Sequence, residues 1–254
     1  MAASDLTSHP DSYRESYLIS DISGLTSQFT SNYAIIVAGG SGSRMKSDLP
    51  KQFLLLNDKP VLMHTIAAFQ RSETKPAIIL VLPGGYHDYW LQLCRDYQFD
   101  IPHQVINGGE TRFHSVKNGL GAIKDKDNVL IAVHDAVRPL TGKEIIDNSY
   151  RCAALNGNAV AAVKSRDSVR RFKDGVTTHL LRDEIYLVQT PQTFQSGQLN
   201  KAYLQPFSSK FTDDASVVQD AGFAIHLTEG GYDNIKITFP EDIAIAEALL
   251  AISR

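Results

Sequence analysis

Residues Ala34 to Phe53 read AIIVAGGSGSRMKSDLPKQF. A short apolar run rich in β-branched residues enters Gly39-Gly40, continues through Ser41-Gly42-Ser43-Arg44-Met45, and meets Lys51 behind Pro50. A continuous run of this kind suits a strand buried on both faces of a parallel sheet. Open parallel sheets bind ligands just beyond the carboxyl ends of their strands, so a glycine turn directly after the first strand stands at a binding position. Counting from Gly40 and Gly42, a dinucleotide fingerprint would need a third glycine where Met45 stands, and a P-loop would need Gly-Lys-Ser/Thr, which is absent. A plain structural turn stays open for the glycines alone, and a solvated surface charge for Arg44 or Lys51 alone. Taken together, backbone amides freed by glycine, the planar donor fork of Arg44 and the compact charge of Lys51 suit a polyphosphate.

Outward from this stretch, strands and helices alternate. Tyr33 to Val37 reads as a strand, Val61 to Gln70 as a helix, Ala77 to Leu82 as a strand and Tyr86 to Tyr97 as a helix. A short strand at His103 to Ile106 leads to a helix over Thr111 to Ile123 opened by a threonine cap. Asn128 to Val133 is a strand running into His134-Asp135, followed by a helix capped near Thr141. Such alternation implies right-handed crossovers and an α/β fold, a Rossmann-like, mostly parallel sheet flanked by helices.

The rhythm breaks after Ala159 to Val163. Ser168 to Phe172 and Val176 to Leu181 read as two strands around an Asp174-Gly175 turn, a β-hairpin inserted at about 164–186. Asn234 to Thr238 (NIKIT) reads as a strand, and Pro240-Glu241-Asp242 opens a last helix. Residues 1–32, rich in Ser and Thr, read as a disordered N-terminal extension or leader, and residues 33–254 as a single domain.

At 254 residues the chain is long enough for one large core without staples. A net charge of -3 argues against a nucleic-acid surface, and the apolar runs fall well short of a membrane span. Cys94 and Cys152 stand alone, with neither disulfide-framework nor zinc spacing, which fits a cytoplasmic protein acting on small molecules.

The motif A-x-x-V-A-G-G-x-G-x-R-M with P-K-Q-F resembles the signature loop of nucleotidyltransferases. Asn107-Gly-Gly-Glu-Thr-Arg-Phe-His-Ser115, Val133-His-Asp-Ala-Val-Arg-Pro139, Gln189-Thr-Pro-Gln192, Thr212-Asp-Asp-Ala-Ser216 and Asp233-Asn-Ile-Lys-Ile-Thr238 follow in the order seen in the 2-C-methyl-D-erythritol 4-phosphate cytidylyltransferase family. The resemblance runs from about Ala34 to the C-terminus. It implies transfer of a cytidylyl group from CTP to the polyol phosphate, with release of pyrophosphate and a magnesium or other divalent cation as cofactor. Ala38, Gly39, Gly40, Ser41, Gly42, Ser43, Arg44 and Lys51 would hold the triphosphate. Gly109, Glu110, Arg112, Ser115, Asp135 and Ala136 would hold the base, the ribose and, through Asp135, the metal. Asp135, Arg138, Ser168, Arg182, Thr190, Thr212 and Lys236 would bind the alcohol phosphate, and Arg44, Lys51 and Lys236 would stabilise the transition state.

Some positions keep a second reading on residue type. Asp135 suits a helix cap as well as a metal ligand. His134 reads as structural, because successive strand residues face opposite ways. Glu110 stands where the family often carries Asp and suits a helix start. Ser168 stands where threonine is usual, keeping the hydroxyl. Thr212 suits a helix cap with Asp213 and Asp214 in the first turn. The hairpin implies a homodimer in which Ser168 and Arg182 serve the neighbour's site. A cytidylyltransferase for D-ribitol 5-phosphate shares the loop, P-K-Q and T-P-Q motifs, and a non-catalytic nucleotide-binding regulator on the same fold is the reading from another class.

Overall fold

The computed structural model describes residues 29–39, 49–124 and 127–252. Its centre is a seven-stranded sheet in the order β11-β7-β10-β6-β1-β4-β5, built from β1 (Ser31–Val37), β4 (Ala77–Leu82), β5 (Gln104–Asn107), β6 (Val129–Asp135), β7 (Asn158–Lys164), β10 (Tyr186–Gln195) and β11 (Leu227–Glu229). Strand β10 runs antiparallel to both its neighbours, and the other pairings are parallel. The expected mostly parallel sheet is therefore present. Strand β1 begins at Ser31, two residues before the expected domain start, because Ser31 and Asn32 pair with Val129 and Leu130. Of the rest of the expected extension, Phe29 packs against the core and Thr30 N donates to Asn128 O at 2.9 Å, while residues 1–28 lie outside the described residues.

Alternation along the buried strands divides the core in two. Ala34, Ile36, Leu80, Leu82 and Leu130 pack with Leu62, Phe69, Trp90 and Tyr150, from helices α1 (Val61–Arg71), α2 (His87–Asp96) and α4 (Lys143–Asn156). Ile35, Val37, Val81, Ile131 and Val133 face the other way, towards Phe113, Val116, Leu199 and Val218 of α3 (Arg112–Ala122), α5 (Ser196–Ala202) and α6 (Asp214–Asp220). A third cluster of Leu56, Val61, Val137, Ile237 and Ala246 joins β2 (Leu55–Leu56), which pairs with β3 (Lys59–Pro60), to the last helix, α7 (Glu241–Ile252). It lies behind the carboxyl edge of the sheet and supports the loop that carries Lys236.

Three local expectations are corrected. NIKIT makes no strand; Ile237 N donates instead to Val137 O at 2.9 Å, although the alternation survives, with Ile237 buried and Lys236 exposed. Gly142, not Thr141, caps α4, because the Thr141 hydroxyl is drawn inwards to Asn234 Oδ1 at 2.8 Å. Asp213, not Thr212, caps α6, in a reciprocal capping box with Ser216. The hairpin forms as expected, β8 (Val169–Lys173) against β9 (Val176–Leu180), with Asp174 and Gly175 at φ of 51° and 78° in the left-handed conformation a tight two-residue turn requires.

Candidate active site

Strand order reverses at β1: the chain moves from β1 out to β4 and β5, then returns to place β6 on the opposite side. Beyond the strand ends the backbones stay clamped, with Ala38 N donating to Val81 O at 2.8 Å and Ala136 N donating to Val37 O at 3.1 Å. A cleft of about 230 Å³ opens there, bordered by Ala38, Gly39, Lys51, Glu110, Arg112, Asp135 and Lys236. A switch point of this kind is where open α/β sheets bind ligands.

The P-K-Q-F segment shows how one of these side chains is aimed. Residues Lys51–Phe53 form a 3-10 turn entered from Pro50, and Phe53 is buried against the rings of Tyr86, Tyr89 and Trp90. Gln52 Nε2 donates to Ala38 O at 2.9 Å, tying the turn to the end of β1. With neighbours fixed on both sides, Lys51 borders the cleft and is only 8% exposed. Gln52 had no assigned role in the sequence; its place inside P-K-Q-F was the available signal.

On the opposite wall, Thr111 caps α3 by accepting from His114 N, and Ser115 Oγ accepts from Gly109 N at 3.0 Å. A Cβ on Gly109 would lie 2.4 Å from His114 Cβ, so only glycine lets the loop pass this close to the helix. Glu110 borders the cleft just before the cap.

Asp135 is the electrostatic centre. Lys236 Nζ lies 2.9 Å from Oδ2, Arg138 Nε 3.5 Å from Oδ2, and Arg112 Nε 3.7 Å from Oδ1. Burial alone would raise this carboxyl, but Arg112, Lys236 and Arg138 together hold it well below the usual carboxylate range. The Asp135 amide donates to Thr190 Oγ1 at 3.1 Å, which brings the T-P-Q segment against the same residue. Arg112 is also held by Asp214, at 2.6 Å, and although burial works against its charge, Asp214 and then Asp135 raise its pKa further. Asp214, expected as a first-turn acid, is thus a buried counter-ion for Arg112 across 102 residues of sequence, a relation with no local signal.

His134 faces away from the cleft. It is fully buried, in edge contact with Phe69, with Nε2 3.3 Å from Thr141 Oγ1. Burial pushes its imidazole down to about 3, against the pull of Asp135. Its folded pKa lies below the ordinary histidine value of about 6.5, so neutral His134 stabilises the fold above that value, and this stability is lost as pH falls from about 6.5 towards 3. Burial also lowers His64 and His103, the latter accepting from Trp90 Nε1 at 2.8 Å. We expect the urea midpoint, followed by the fluorescence of the single tryptophan, Trp90, to fall on acidification below about pH 6.5, as His134 removes up to ~1.4 kcal/mol of unfolding free energy per pH unit and His64 and His103 act in the same direction. A flat midpoint down to about pH 4 would contradict the neutral, buried assignment.

Of the remaining expected site residues, Ala136 and Arg138 adjoin Asp135 in sequence and space. Ser168, Arg182 and Thr212 are exposed and do not border the cleft; the first two flank the hairpin. Gly40, Ser41, Gly42, Ser43 and Arg44 lie outside the described residues.

Comparison with known proteins matches residues 33–252 to the family model for 2-C-methyl-D-erythritol 4-phosphate cytidylyltransferase. Among relatives bearing that name, the Bacteroides thetaiotaomicron protein is 49% identical over 216 residues, spanning 85% of this chain and 98% of that one. The Azobacteroides pseudotrichonymphae protein is 49% identical over 219 residues, 86% of this chain and 98% of that one. The crystal structure of the Francisella tularensis 2-C-methyl-D-erythritol 4-phosphate cytidylyltransferase is 32% identical with a TM-score of 0.73, covering 87% of this chain and 100% of that chain. The 4-diphosphocytidyl-2C-methyl-D-erythritol synthase of Anaerococcus prevotii is 28% identical with a TM-score of 0.76, covering 90% of this chain and 99% of that chain.

Proposed function

The chain belongs to the 2-C-methyl-D-erythritol 4-phosphate cytidylyltransferase family, and from that premise we propose how its cleft works. The enzyme transfers a cytidylyl group from CTP to 2-C-methyl-D-erythritol 4-phosphate. A phosphate oxygen of the alcohol phosphate attacks the α-phosphorus of CTP, the bond between that phosphorus and the oxygen bridging to the β-phosphorus breaks, and pyrophosphate leaves with the electron pair. No protein nucleophile or general base is required, because the attacking phosphate is already anionic near pH 7. The protein has to bring two anions together and stabilise the charge that develops on the α-phosphate and the leaving group.

The observation that carries this reading is one carboxylate, Asp135, shared by three cations at the edge of a cleft that Lys51 and Gly39 also border. Counting Asp214 beside Arg112 and Glu110 on the cleft border, the four cations Arg112, Arg138, Lys236 and Lys51 still outnumber the three carboxylates, which leaves a net attraction for phosphates. In this proposal Lys51 and the glycine turn with Arg44 take the triphosphate, and Lys236 takes the α-phosphate as it accepts the new bond. Gly109, Glu110 and the start of α3 hold the cytidine, while Arg138, Thr190 and Thr212 receive the alcohol phosphate. Pyrophosphate release measured with CTP and either 2-C-methyl-D-erythritol 4-phosphate or D-ribitol 5-phosphate tests it. Preference for the methylerythritol substrate is expected, and CTP binding without turnover would instead make the protein a regulator.

Among the described residues no group of three or more His, Cys, Asp or Glu side chains could hold a metal ion. The donor set therefore fits magnesium only as polyphosphate enzymes often bind it, by one or two carboxylates plus phosphate oxygens. Asp135 would be the protein ligand, and the ion would offset negative charge on the phosphates.

The hairpin supports a homodimer with shared sites. Phe172 is 71% and Val176 65% exposed, an unusual display of apolar surface on a two-stranded arm. With Ser168 and Arg182 beside that arm reaching a neighbour's cleft, Ser168→Ala is expected to raise the KM for the alcohol phosphate several-fold and leave that for CTP nearly unchanged, as loss of one hydroxyl contact worth about 1 kcal/mol predicts. Steady-state kinetics with each substrate varied in turn measures this, and equal rises in both KM values would remove Ser168 from the alcohol subsite. We place the reaction in the cytoplasm, a reading supported by the free thiols of Cys94 and Cys152.

A further inference from the structure

Lys236 sits on a segment that belongs to no strand or helix, yet its ammonium is held 2.9 Å from Asp135. A functional cation on irregular backbone needs its position fixed by specific bonds, because no sheet ladder or helix supplies them. Asn234, two residues earlier and fully buried, supplies most of them. Its Oδ1 accepts from Thr141 Oγ1 at 2.8 Å, and its Nδ2 donates to Gln189 Oε1 at 3.1 Å and to Thr190 O at 2.9 Å. Its backbone N donates to Gly231 O at 3.1 Å, and its backbone O accepts from Arg138 Nη1 at 2.6 Å.

The side-chain partners come from two segments, Arg138 and Thr141 from the loop after β6 and Gln189 and Thr190 from β10. Thr141 follows the loop from β6, Thr190 lies on β10 and also receives the Asp135 amide, and Arg138 pairs with the Asp135 carboxylate. We infer that Asn234 is a positioning residue for the transfer reaction, joining the Lys236 segment, Arg138 and Thr190 into one rigid unit on the alcohol-phosphate side of the cleft. The inference rests on the function proposed above. Asparagine suits the position because one amide offers an acceptor on one side and two donors on the other; aspartate would present no donor to Gln189 and Thr190, and glutamine would overreach. Among the described residues its hydrogen bonds go to Thr141, Gln189, Thr190, Gly231 and Arg138, whereas Lys51 is aimed by the Gln52 and Phe53 anchors and Gly109 is held by Ser115.

The test is a kinetic comparison of the full-length enzyme with Asn234→Ala. Displacement of Lys236 and Arg138 is expected to lower kcat by about 30-fold and raise the KM for the alcohol phosphate several-fold, with the KM for CTP within about 2-fold. A residue that merely stabilised the fold would lower the active fraction, reducing apparent kcat with both KM values unchanged, and that result would overturn the inference. In a Lys236→Ala background, Asn234→Ala should cost less than about 5-fold more, because one of the groups it aims is already gone; a full second loss of about 30-fold would also overturn it. Should Asn234→Ala fail to fold, Thr141→Val removes the donor to Asn234 Oδ1 from outside the cleft. The same selective rise in alcohol-phosphate KM is expected, and an unchanged KM would count against the inference. Wild-type enzyme without turnover on these substrates would overturn the proposed function and this inference together, whereas active wild type with an unaltered Asn234→Ala variant overturns the inference alone.

Discussion

Asp135→Asn is expected to lower kcat/KM by about 10³-fold, the largest loss among single changes in the cleft. The substitution keeps the shape and removes the charge that Lys236, Arg138 and Arg112 share at 2.9, 3.5 and 3.7 Å. Arg112 retains Asp214, but Arg138 and Lys236 lose their counter-ion and repel one another. Breaking a buried charge network in this way typically costs about 3–5 kcal/mol, so the variant should also unfold at a lower urea concentration. The cations also set the pH response. Because they depress the Asp135 pKa, the carboxylate stabilises the fold above the ordinary aspartate range, and this contribution is lost as acid protonates the group below about pH 4. Initial rates over a substrate grid, together with urea melts of both proteins, measure both effects. A variant of unchanged kcat/KM would take Asp135 out of the mechanism.

Lys51→Ala is expected to lower kcat by at least about 10²-fold, roughly 3 kcal/mol, the scale set by removing one preorganised transition-state donor. The side chain is 8% exposed and comes from a turn anchored at Gln52 and Phe53, so its charge acts in a water-poor site where it counts for more than on a surface. Removing it should leave the anchors and the fold intact. The KM for CTP should change less than kcat, because the charge on the leaving pyrophosphate grows as the bond breaks. Single-turnover rates at saturating CTP isolate the chemical step. A purified, folded variant with near-normal turnover would show that Lys51 only decorates the cleft.

How far the site could be read from the chain depended on the range of each interaction. The buried strands Tyr33 to Val37, Ala77 to Leu82 and Asn128 to Val133 were legible because apolar, β-branched runs have few other uses. The hairpin was legible from Asp174-Gly175, whose residue types permit the left-handed backbone it adopts. Thr111 was legible as a cap because capping is settled within three residues. At Thr212-Asp213 the same rule was off by one position, since adjacent polar residues compete and the bond to Ser216 N decides between them. NIKIT misled because alternation records which side faces the core, and it says nothing about whether a neighbouring strand is present to pair.

By itself, then, the sequence determined the layered α/β architecture, the strand that runs into Gly39 and the family motifs, because each is written in contiguous residues or fixed spacing. Only the tertiary structure decided that Arg112 answers to Asp214 as well as Asp135, that His134 lies between Phe69 and Thr141, and that Asn234 ties the Lys236 segment to Arg138 and Thr190. Electrostatic and hydrogen-bond energies depend on separations of a few ångströms and on exclusion of water. Those separations join residues up to 102 positions apart in the chain and exist only once the strands have brought them to one edge of the sheet.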